Sequence, residues 1–175
     1  MKKINNFIII VLSVVSYLIA IYNIKHKILV RVLIALTILP VLLVPKILRK
    51  LKFKISDNLE FIFLLFMIFA YFLGTVLNFY DKFNNYDTLM HFLSGVFEAF
   101  IAIDLIKENK NKGLNILFVL GFVCLVSVCW EIFEFTSSIV LKVDPQRVEL
   151  TGVTDTMKDL IVALIGGILV VLGKK

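Results

Sequence analysis

Six apolar runs separated by short polar stretches set the plan of this chain. They cover residues 7–23, 28–44, 60–80, 88–105, 116–141 and 156–172. A membrane-spanning helix needs about 20 mostly apolar residues. Each run therefore predicts a transmembrane helix, and together they predict an all-α polytopic bundle with six transmembrane helices. No connecting stretch has the length of a soluble domain, so residues 1–175 read as a single integral membrane domain. Pro40 and Pro45 interrupt the second run. Proline lacks the N–H that a helix interior uses, so a kink or an end is expected there. Met1-Lys2-Lys3 before an apolar run has the form of a secretory signal. No small-x-small cleavage site follows it, and it reads as an uncleaved first span.

Composition changes this picture only by hardening it. Of 175 residues, 60% are hydrophobic and 16 are Phe, and the mean hydropathy is +0.97. A soluble domain of this size buries only about 70% of its unfolded surface, too little to hide so much apolar area. A soluble globular enzyme and a disordered chain are both excluded. Cys124 and Cys129 lie in one apolar run. On a helix they point about 140° apart, which rules out a disulfide between them and carries no metal or redox signal.

Charge sets an orientation. The net charge is +6. With the N-terminus inside, 12 of the 19 Lys and Arg residues face the cytoplasm. They include Lys2, Lys3, Lys107, Lys110, Lys112, Lys174, Lys175 and the basic stretch from Lys46 to Lys54. The outer side holds Lys25, Lys27, Arg31, Lys82, Lys142, Arg147 and Lys158. Both termini are expected to be cytoplasmic. The basic stretch reads first as a topology determinant and second as a contact for anionic lipid.

Polar residues then single out the later spans. The first two carry little beyond Ser13, Ser16 and Thr37 and read as lipid-facing support. In the fourth, Asp87, His91, Ser94, Gly95 and Glu98 fall on one helical face. In the fifth, Ser127, Glu131, Glu134 and Ser138 do the same, and in the sixth Asp155 and Asp159 lead a stripe through Ala163 and Gly166. Tyr71, Thr75 and Asn78 share a face of the third span. Small residues on such stripes let helices approach closely. In the N-inside orientation Asp87, His91, Glu131, Glu134, Asp155 and Asp159 all fall in the outer third of the bilayer. Glu98 lies about 10 Å deeper than His91.

Charged residues near a span centre cost about 2.5–3.5 kcal/mol on insertion scales. The acids outnumber the available bases, so bound protons, a bound cation or a hydrated cavity is required. Simpler explanations compete for some of them. Asp87 and Asp155 stand where helix N-caps occur, and Asp57 with Glu60 looks like a capping pair. His91 can pair with Asp87 one turn away. Asp81, Asp104 and His26 read as solvated, and Trp130 as lipid contact. Glu131 and Glu134 lie inside an apolar run and cannot be caps.

Tyr86-Asp87-Thr88-Leu89-Met90-His91 with Gly95, then Trp130-Glu131-Ile132-Phe133-Glu134-Phe135, then Asp155-Thr156-Met157-Lys158-Asp159 followed by Gly166-Gly167, form a three-part pattern. It resembles the YjdF-like family of bacterial inner-membrane proteins over residues 60–172. The order of acidic elements is more loosely similar to the VanZ-like membrane proteins, although Ala163 stands near the place of their Asn. The first resemblance implies a multi-pass protein of the bacterial cytoplasmic membrane, without an assigned activity. The second implies a cell-envelope setting.

Three functional readings follow. The first is a divalent-metal site made of Asp87, His91, Glu131, Glu134, Asp155 and Asp159, acting on a lipid or lipid-linked envelope substrate. Carboxylates with one His suit Mg or Mn better than Zn. The second is a proton- or cation-coupled transporter or channel, with Glu98 as the inward continuation of an ion path. The third is a non-catalytic scaffold in which the acids form a structural network. Membrane lipids are expected partners, and nothing points to nucleic acid.

Overall fold

The computed structural model describes residues 1–106, 111–142 and 152–174. Among these, every regular element is helical, and six helical stretches are long and apolar enough to cross a membrane. Lys107, Lys110, Arg147 and Lys175, which entered the charge count, lie outside the described residues. The chain forms two compact units, Met1–Ile68 and Phe69–Lys175.

The first unit holds α1 (Lys2–Lys25), α2 (Leu29–Leu42), α3 (Val44–Lys50) and α4 (Asp57–Met67). The buried positions of α1 are Asn5, Ile9, Leu12, Ser16, Ala20 and Asn23. Their alternating steps of three and four define one face, and α1 packs on α2 and α4. Pro40 lies inside α2, which ends two residues later at Leu42, and the helix restarts as α3 with Pro45 in its first turn. Proline fits there because first-turn N–H groups have no helical acceptor. The second span therefore runs on to Lys50 rather than stopping at residue 44. Lys46, Arg49 and Lys50 are helical, so the expected basic loop shrinks to the stretch after α3.

Arg49 is the organising side chain of that stretch. Its Nε donates to Ile55 O at 2.8 Å and its Nη2 to Ser56 O at 3.0 Å. Its Nη1 meets Glu60 Oε2 at 2.8 Å, and its Nη2 lies 3.2 Å from Asp57 Oδ1. Asn5 Nδ2 donates to the same Glu60 oxygen at 3.0 Å and to Asp57 O at 2.8 Å. Glu60 is 1% exposed, and its other oxygen has no hydrogen-bond partner among the described residues. The expected Asp57–Glu60 capping pair is thus corrected. Ser56 is the cap of α4, accepting from Leu59 N at 3.1 Å, and Glu60 sits a turn further in as a buried ion-pair partner.

The second unit begins at Phe69, one residue into a π-helical segment, Ile68–Val76, that carries the third span to its end. Asn78 then turns the chain with φ 60°, a left-handed conformation that Asn tolerates. A short helix, α5 (Phe79–Lys82), follows. The third span thus ends at Val76 rather than at residue 80. Its expected Tyr71, Thr75 and Asn78 face does not form. Tyr71 is buried, Thr75 is exposed and Asn78 has left the helix. Winding with i→i+5 bonds shifts the register away from the α period.

Three long helices complete the unit, α6 (Tyr86–Leu105), α7 (Lys112–Leu141) and α8 (Thr154–Gly173). Ala99 and Ala102 of α6 meet Val119 and Val123 of α7 in the core. α6 and α8 touch through backbone. A Cβ on Gly95 would fall on the Ala163 carbonyl, and one on Gly166 would fall on Phe92 O. Glycine at both places lets main chain approach main chain, as close helix packing in lipid requires.

Candidate metal centre

The glycine-mediated seat of α6 on α8 brings their acidic ends together. Asp87 lies in the first turn of α6 and His91 one turn later; Asp159 lies two turns into α8. His91 Nε2 stands 3.7 Å from Asp87 Oδ1 and 3.9 Å from Asp159 Oδ2. One ligand atom from each of the three residues falls within 4.8 Å of the others. Both His–carboxylate distances are too long for direct hydrogen bonds. They match two ligands of one small cation, which stand about 3–4.2 Å apart when each bond is about 2.1 Å.

Burial sharpens the point. Asp159 is 4% exposed and His91 8%, while the Asp87 side chain is 22% exposed and forms the open side. Asp159 Oδ1 has no hydrogen-bond partner among the described residues. An unpartnered carboxylate oxygen in a buried position is costly, and it is the type of ligand atom that a hard cation takes.

The structure brings in further members of the predicted set. Asp87, Asp155 and Glu131 all act electrostatically on Asp159, as does Lys158 with opposite sign. Glu131 is 6% exposed. It is the fourth step of the buried stripe Val119, Val123, Ser127, Glu131 on α7. Glu134 stands further out, accepting from Trp130 Nε1 at 2.8 Å. Trp130 is thus a hydrogen-bonding partner as well as a lipid-facing ring.

The N-cap explanation of Asp87 and Asp155 is corrected. Asn85 and Val153 occupy the cap positions, and neither helix start shows a side-chain cap bond. Both acids lie one or two residues inside, where the positive helix end favours them. Glu98 is buried apart from the cluster, with Ser127 Oγ donating at 3.5 Å. Ser94 and Ser138 spend their hydroxyls on the backbone oxygens of His91 and Phe135.

Tyr80 was not singled out by the sequence. Its ring fills the space beside Gly74 and stacks edge-on to Tyr86 at 5.3 Å. Burial, reinforced by Asp87, Tyr86 and Glu134, pushes its phenol pKa upward. Tyr80 therefore stays a neutral hydroxyl group near the open side of the cluster. Tyr86 Oη, donating to Phe69 O at 2.9 Å, anchors the start of α6 to the π-helical segment. The signal for Tyr80 was the turn-prone Asn78 two residues before it, hidden by the apolar run around it.

The family described as "Predicted membrane protein (DUF2238)" matches residues 4–174. The chain belongs to that family. A multi-pass membrane protein is what the DUF2238 description and the six apolar helices both give. The YjdF-like naming fits DUF2238, whereas the VanZ-like similarity rests on motif order alone. Searches of curated proteins and of solved structures return no match for this DUF2238 chain.

Proposed function

We propose that this protein binds a divalent cation, Mg or Mn, between α6 and α8. Asp87, His91 and Asp159 are the first ligands, and Glu131, Glu134 and Asp155 the surrounding charge. The convergence of ligand atoms from Asp87, His91 and Asp159 within 4.8 Å, with no Lys or Arg bridging them among the described residues, carries this reading. The bound ion would act as a Lewis acid, polarising a phosphoryl or carbonyl oxygen or a water molecule. In the bacterial cytoplasmic membrane with both termini inside, the cluster faces the outer leaflet, and a lipid or lipid-linked envelope molecule is the natural substrate. The testing measurement is elemental mass spectrometry on detergent-purified protein after incubation with Mn. Near-stoichiometric metal in the wild type, lost in Asp159→Asn, is expected. Equal metal in both, or none in either, rejects the site.

A second reading is favoured by the isolation of Glu98, which is 7% exposed and, among the described residues, accepts from Ser127. Placed deeper on the same face, it would continue an ion path inward. Cation or proton flux in proteoliposomes that Glu98→Gln abolishes would support that reading over the first.

A further inference from the structure

Between α7 and α8 runs an open groove of about 490 Å³. Val128, Glu131, Ile132 and Phe135 form one wall, and Thr156 and Leu160 the other, with Gly152 and Val153 at one end. Val128, Ile132 and Phe135 are all more than two-fifths exposed. They sit on helices long and apolar enough to cross a membrane, so hydrocarbon rather than water lies against them. The lining covers about 10 Å of helix axis along the α7 wall and about 6 Å along the α8 wall. The lining is apolar except for Thr156 and Glu131.

Glu131 belongs to both places at once. It lines the groove, and it is one of the charges acting on His91 and Asp159. The groove therefore opens from the lipid phase onto Glu131, whose charge is felt at the acidic cluster. An occupant must be apolar over most of its length and polar where it meets Glu131. We propose that the groove seats one acyl chain of a membrane phospholipid, with the phosphate headgroup lying at Glu131 beside the cation. This rests on the metal reading above, because five carboxylates would repel a phosphate that no cation bridges. In lipid the hydrophobic effect does not favour one apolar contact over another. Selective seating thus comes from close packing in the groove and from the headgroup.

The test uses a phosphatidylglycerol carrying a diazirine in its acyl chain, photolysed with the full-length protein in liposomes, with and without Mn. Peptide mass spectrometry locates the adducts. Expected are adducts at Val128, Ile132 and Leu160 several-fold above those at Ile10 and Val14, exposed positions of α1. Ile132→Trp and Thr156→Trp, which fill the groove from opposite walls, should each remove that excess. Ile132 is already 58% exposed, so its replacement leaves packing intact and the readout does not depend on a folding defect. Adducts spread evenly over groove and α1, or an excess that survives both tryptophans, overturn the groove. The two proposals fail separately. Metal lost in Asp159→Asn with evenly spread adducts rejects the groove alone. A groove excess removed by Ile132→Trp, in a protein that holds no metal, rejects the cation.

Discussion

Both units bury carboxylates, and Glu60 in the first and Asp159 in the second are handled in opposite ways. Glu60 in the first unit meets Arg49 at 2.8 Å and Asn5 at 3.0 Å. Among the described residues, the ion-pair neighbour of Asp159 in the second is His91, at 3.9 Å, amid further acids. The first charge is neutralised by its own chain. The second stands amid further acids and has no Lys or Arg salt bridge among the described residues, while each of the two carboxylates keeps one oxygen without a donor there. Burial of an acid is thus poor grounds for assigning a site; the state of its surroundings decides.

Four substitutions and one titration press on that contrast. The largest effect is expected from Arg49→Met. It strands Glu60 as an unpaired buried charge, a class of change costing about 3–5 kcal/mol. Thermal unfolding in detergent should shift down strongly, and Arg49→Met with Glu60→Gln should recover much of the loss. Asp159→Asn should do the reverse without metal, leaving stability equal or higher because it relieves repulsion, while Mn retention is lost. A marked drop in metal-free stability for Asp159→Asn would end the contrast. Gly95→Ala comes next. Its Cβ meets the Ala163 carbonyl, and overpacking of this kind costs about 1–3 kcal/mol. Isothermal titration should also show weaker Mn binding, since α6 and α8 are pushed apart.

Proton competition gives a smaller, graded effect. Cation ligation needs ionised carboxylates and a neutral imidazole, so Mn affinity should fall steadily as pH is lowered. A flat profile from neutral to acidic pH would point away from these ligands. Tyr80→Phe should change least. Because burial raises the Tyr80 pKa above its ordinary 10.0, its contribution to stability is fully present below pH 10. That contribution is lost as pH rises through the folded value. Wild type should therefore lose stability in strong alkali more steeply than Tyr80→Phe, as an alkaline unfolding series would show.

The parts legible in the sequence were those governed by helical period. Asp87 and His91 are four apart on one helix, and Asp159 begins the small-residue stripe that seats α8. Spacing alone placed all three on facing stripes. What stayed hidden depended on distance along the chain or on a change of winding. Glu60 finds its partners 11 and 55 residues away, and no local pattern reports that. Tyr80 was read as the tail of a span because the π-helical turn and the left-handed Asn78 sit inside unbroken apolar sequence. The ends of spans moved for the same reason, since hydropathy does not see Ser56 capping α4 or Pro45 restarting α3.

The backbone seat formed by Gly95, Ala163 and Gly166 also imposes an order on biogenesis. Synthesis runs from N- to C-terminus, so α6 with Asp87 and His91 enters the bilayer well before α8 exists. During that interval the cluster is incomplete, and its imidazole has only Asp87 as an anionic neighbour from the same helix. When α8 docks, glycine against main chain, Asp159 arrives with it in a single step. Assembly of the helix pair and assembly of the cluster are one event, so a chain arrested before α8 is also a chain whose cluster lacks Asp159. Membrane quality control that senses unpaired polar residues would read both defects at once.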